Sequence, residues 1–107
     1  MPAYAVAHLH RTNLVPEVVE YLERIQATMD PFSGRFIVHG GPMEVREGTW
    51  PGALVVLEFP DMTRARAWYE SAAYQEILAL RTRNIEGDLI LIEGVSEDHK
   101  ATDVLGE

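Results

Sequence analysis

The chain has 107 residues, 47% of them hydrophobic and 24% charged, which is the size and balance of a single globular domain. Nine Lys and Arg stand against seventeen Asp and Glu, giving a net charge of −8 at pH 7, and the basic residues are scattered, which argues against nucleic acid or an anionic membrane surface as a partner. No cysteine is present, so a disulfide framework, a thiolate zinc site and a cysteine nucleophile are excluded together.

Ala3 to His10 alternates as a strand, with Tyr4, Val6, His8 and His10 on one face and Ala3, Ala5, Ala7 and Leu9 on the other. Pro16 suits a first helical turn, and Val15, Val18, Val19, Leu22, Ile25 and Met29 follow at helical spacing until Asp30-Pro31 and Gly34. Arg35 to His39 reads as a second strand, with Met43 to Glu47 continuing it after a bend at Gly40-Gly41-Pro42. Gly48 to Gly52 is a turn carrying Trp50-Pro51, and Ala53 to Phe59 carries the strongest strand signal. Asp61 caps a helix that runs to about Asn84, with a bend at Ser71-Ala72-Ala73. Gly87 turns the chain into a last strand, Asp88 to Val95. Residues 96–107 are acidic, have little to bury and form a tail outside the 1–95 domain.

The order β-α-β-β-α-β predicts an α+β, ferredoxin-like fold: a four-stranded antiparallel sheet with two helices on one face. In such a fold the second sheet face is wet and should read polar. Here it reads apolar, with Leu54, Val56, Leu89, Leu91, Val6 and Tyr4 assigned to it. A patch of that size calls for a cover, and a second copy of the chain is the expected one. His8, His10, Glu58 and Glu93 fall on this face by period-two counting, joined by either Arg35 and His39 or Phe36 and Val38. Two sheets face to face then enclose an apolar space with a few carboxylates and imidazoles, as small-ligand pockets do.

Several segments carry a resemblance to a known family. Gly34-Arg35-Phe36-Ile37-Val38-His39-Gly40-Gly41, Trp50-Pro51, Val55-Val56-Leu57-Glu58-Phe59-Pro60 and Ala67-Trp68-Tyr69-Glu70-Ser71-Ala72-Ala73-Tyr74-Gln75 resemble the domain of unknown function 1330 family over about residues 2–95. The resemblance implies a homodimeric α/β barrel of two ferredoxin-like sheets, within a superfamily that includes cofactor-free monooxygenases, muconolactone isomerases and haem-degrading enzymes. His39 stands where members often carry Arg, which counts against an anion contact there, and Ala72-Ala73 replaces a common Pro-Glu.

The expected function is the binding of a small aromatic or acidic metabolite, with cofactor-free isomerase or monooxygenase chemistry. A non-catalytic assembly module with a filled dimer interface is the alternative. His39 and Glu58 are the candidate acid–base pair, because a carboxylate inside an apolar strand is costly unless it is paired or functional. Arg35 is the candidate anion contact. Trp50 and His8 are expected to line the space, with Glu93 beside the ligand. His8 and His10 share a strand face, a spacing that metal sites use, but a polar pair at a strand end accounts for them and no metal or other cofactor is expected. No basic leader and no apolar run near ~18 residues occurs, so the expected setting is cytoplasmic.

Overall fold

A computed structural model describes residues 1–11 and 13–106. In chain order it holds β1 (Ala3–Leu9), α1 (Pro16–Met29), β2 (Arg35–His39), β3 (Ala53–Phe59), α2 (Met62–Glu70), α3 (Ala72–Thr82) and β4 (Gly87–Glu93), with 3₁₀ turns at Asp30–Phe32 and Ala101–Gly106. The strands form one antiparallel sheet in the order β2-β3-β1-β4. This is the expected ferredoxin-like arrangement, with the second helix divided in two.

That division lies at Ser71, whose backbone is extended (φ −64°, ψ 147°). Its hydroxyl donates to the Trp68 carbonyl at 2.7 Å and accepts from the Tyr74 N–H at 3.2 Å, so one side chain ends α2 and caps α3. Asp61 caps α2 as expected, accepting from the Arg64 N–H at 2.8 Å. The expected continuation of β2 over Met43 to Glu47 does not form. Gly40 takes φ +64° directly after His39 and leads the chain off the sheet edge, and Pro42 has no N–H to offer a ladder. The last strand also ends earlier than expected, at Glu93.

The core lies between one sheet face and the helices. β1 contributes the small side chains Ala3 and Ala5, β3 adds Leu57 and Phe59, and the helices add Tyr21, Ile25, Met29, Trp68, Tyr74 and Ile77. Alanines in the central strand leave room for the large aromatics above them. Trp68 is fully buried, and its indole N–H donates to the Thr28 hydroxyl at 3.0 Å, which in turn donates to the Ile25 carbonyl at 2.6 Å.

The register corrects the assignment of faces. Tyr4 pairs with Ile92 and Val6 with Ile90, so the open face carries Ile90 and Ile92, not Leu89 and Leu91. Both sets in β4 are apolar, so period-two counting found the alternation without its phase. Ile90 and Ile92 stay about half exposed, and the tail after Val95 does not cover them. The body is also flat, about 20 Å in its thin direction, with a radius of gyration of 15.2 Å. A compact chain of this length comes to about 13 Å.

Candidate functional site

A β-bulge in β2 decides which side chains share a face. Arg35 pairs with Glu58 and Phe36 with Leu57, but beyond the bulge Val38 pairs with Val56 and His39 with Val55. One extra residue, Ile37, resets the alternation. Arg35 and Val38 therefore join the open face, whereas Phe36 and His39 join the helix-covered face. Neither of the two sets considered from the sequence is the one observed.

His39 and Glu58, the expected acid–base pair, consequently stand on opposite faces of the sheet. His39 stacks on Phe36, with ring centroids 4.3 Å apart. Glu58 is held by Arg35, whose Nε and Nη2 donate to the same carboxylate oxygen at 3.0 and 2.8 Å. This is a cross-strand ion pair, which engages Arg35 with Glu58. Glu93 opposes Ala3, a residue of the helix face, and so departs from the open-face group expected for it; its own side chain is exposed. His8 stays on the open face. Its ring lies on the Trp50 indole at 4.4 Å, and its Nε2 donates to the Pro51 carbonyl at 2.7 Å. Trp50 and His8 are thus brought together at the end of β1.

Within one chain, an enclosed space lies under the helices. A cavity of about 60 Å³ is bounded by Ala5 and Ala7 of β1, Leu57 of β3, Trp68, Arg81 and His39, among others. Its walls are almost wholly apolar apart from one cation. Arg81 is only 7% exposed and has no carboxylate partner among the described residues. Its guanidinium carbon lies 5.7 Å from the centre of the Tyr21 ring. The Tyr21 and Tyr74 hydroxyls share a buried hydrogen bond of 2.9 Å. Burial, and then Tyr74 beside it, push the Tyr21 phenol far above the ordinary tyrosine range. Burial works against the charge of Arg81, but Tyr21 and Tyr74 outweigh it and raise its pKa further. The guanidinium thus stays charged in an apolar wall.

On its other side Arg81 borders an open cleft with His10, Ile85 and Glu86, so it stands between the cavity and solvent. None of Arg81, Tyr21 and Trp68 was among the site residues expected from sequence. A signal existed for one of them: Arg81 falls seven residues after Tyr74 and four after Ile77, on the buried stripe of α3.

A family model for a domain of unknown function (DUF1330) matches residues 2–95. The chain belongs to that family. No curated protein matches it. Among solved structures, it is similar to several ferredoxin-like folds. One is a protein of unknown function from Rhodopseudomonas palustris, at TM-score 0.67 and 13% identity, covering 89% of this chain and 83% of that one. Another is a dimeric ferredoxin-like protein of unknown function from Jannaschia sp. CCS1, at TM-score 0.59 and 10% identity, covering 88% and 100%. A third is SnoaB, a cofactor-independent oxygenase from Streptomyces nogalater, at TM-score 0.54 and 11% identity, covering 92% and 96%. At these identities the likeness is one of fold.

Proposed function

We propose that this DUF1330 protein is a homodimer that binds a small aromatic or acidic metabolite in the cavity between its sheet and helices. The observation that carries the reading is Arg81, a buried guanidinium without a carboxylate partner in an apolar wall. A buried cation is costly until an anion or a set of hydrogen bonds answers it. A phenolate or carboxylate at the end of a flat ring supplies that anion and fills the apolar space with the ring. Trp68 offers a face for stacking.

The enclosed volume of about 60 Å³ is below the ~300 Å³ of typical ligand sites. Entry therefore displaces the exposed His39 and Leu22 at the rim. His39 is the titratable group at that rim and the candidate for proton transfer to or from the bound ring. Cofactor-free oxygenation or isomerisation of an acidic aromatic needs a bound carbanion or phenolate, and a charged Arg81 stabilises such a species. The fold likeness to a cofactor-independent oxygenase supports this chemistry as a direction for assay. A cytoplasmic setting belongs to the same reading.

The small cavity itself favours a second reading, a non-catalytic module whose interior is filled by its own side chains. One titration separates the two. In a Trp50→Phe variant, Trp68 is the remaining tryptophan of two. Adding a series of hydroxybenzoates and naphthols should quench its fluorescence saturably at micromolar concentration. No saturable change across the series would leave the non-catalytic module in place.

A further inference from the structure

We propose that His8, His10 and Asp88 form a binding site for a divalent transition-metal ion of the zinc or cobalt kind, separate from the cavity under the helices. His8 and Asp88 oppose each other directly on β1 and β4, on the open face of the sheet. His10 follows two residues later, its ring 4.6 Å from that of His8 in an edge-on arrangement. One nitrogen or oxygen from each residue lies within 4.8 Å of the others. A tetrahedral ion with bonds of ~2.0–2.2 Å needs its donor atoms roughly 3.3–3.5 Å apart. His10 and Asp88 are exposed, so their side chains have room to draw in around an ion.

The surroundings of His8 are those of an oriented metal ligand. Its Nε2–H donates to the Pro51 carbonyl, which leaves Nδ1 with the lone pair, and the Trp50 indole holds the ring plane. That carbonyl is itself fixed. Gly52 next to it takes φ +81°, and a Cβ there would lie 1.8 Å from the Leu9 carbonyl oxygen, so the turn sits directly on the end of β1. His10 Nε2 lies 3.0 Å from Asp88 Oδ2, a hydrogen bond that already brings these two side chains together. Two imidazoles and one carboxylate select a borderline ion over calcium or magnesium, which take oxygen ligands.

The test uses the untagged full chain, dialysed against EDTA and titrated with Co²⁺, with visible ligand-field absorption as the readout and Zn²⁺ as competitor. One equivalent of Co²⁺ per chain should bind at micromolar concentration and be displaced by Zn²⁺. His10→Gln and Asp88→Asn, both at exposed positions, should each weaken binding at least tenfold, and His8→Gln should do the same. His99→Gln, remote in sequence from all three, should leave it unchanged. Circular dichroism without metal shows that each variant is folded. Absence of saturable binding in the wild-type chain below millimolar metal, or wild-type affinity in folded His10→Gln and Asp88→Asn, would overturn the proposal.

Discussion

Arg81 carries two consequences that pull in opposite directions. Replacing a buried cation that has no carboxylate partner by an apolar side chain of similar length removes a desolvation cost that offsets its lost contacts with Tyr21 and Tyr74, so Arg81→Met should change stability by less than ~2 kcal/mol. The same substitution should weaken binding of an anionic aromatic at least tenfold. Thermal unfolding and the tryptophan titration together check the pair, and a variant that loses stability without losing affinity would make Arg81 purely structural. Tyr21 gives a pH signature. Its pKa is raised above the ordinary 10.0, so its contribution to stability is complete below that value and is lost as pH rises above it. Tyr21→Phe should cost about 1 kcal/mol at pH 7 through the lost Tyr74 hydrogen bond, and should lessen the fall in stability between pH 9 and about 11. Guanidinium unfolding across that range measures both. The Arg35–Glu58 pair is more exposed. Glu58→Gln should change stability by less than ~1 kcal/mol and leave ligand affinity unchanged, since Glu58 lies on the other sheet face from the cavity.

Elements were legible in the sequence where one residue type had a single physical use. Pro16 opens α1, Asp61 caps α2, and Ser71 breaks the second helical stretch where a bend was expected. The phase of a doubly apolar strand was not legible. In β4 both Leu89/Leu91 and Ile90/Ile92 satisfy burial, and only the ladder with β1 separates them. In β2 the bulge at Ile37 has no signature in side-chain type, yet it moves His39 away from Arg35 and from Glu58. Asp88 was equally hidden, because a cross-strand neighbour is a matter of register and not of spacing along the chain. Arg81 was visible as a charge on an apolar stripe. The caps offer a check on the break itself: Ser71→Ala should cost about 1 kcal/mol, because it frees the Tyr74 N–H, and denaturant unfolding measures it.

At the scale of the whole molecule, the open sheet face remains to be accounted for. Val6, Leu54, Val56, Ile90 and Ile92 form its apolar surface, and covering each large side chain is worth roughly 1.5–3 kcal/mol. A second copy is the proposed cover, in keeping with the thin body and with the dimeric state described for one of the similar folds. Ile90→Lys places a charge in the middle of that surface and should convert the dimer to a monomer in sedimentation analysis.

Native mass spectrometry of the purified protein, followed by denaturation, tests the central claim most directly when wild type and Arg81→Met are compared. The expected spectrum is a species of twice the 12.0 kDa chain mass that acquires one hydroxyaromatic acid per chain in the wild type, and a bare dimer in the variant. A monomer, or a dimer that takes up the same ligand with and without Arg81, would contradict it.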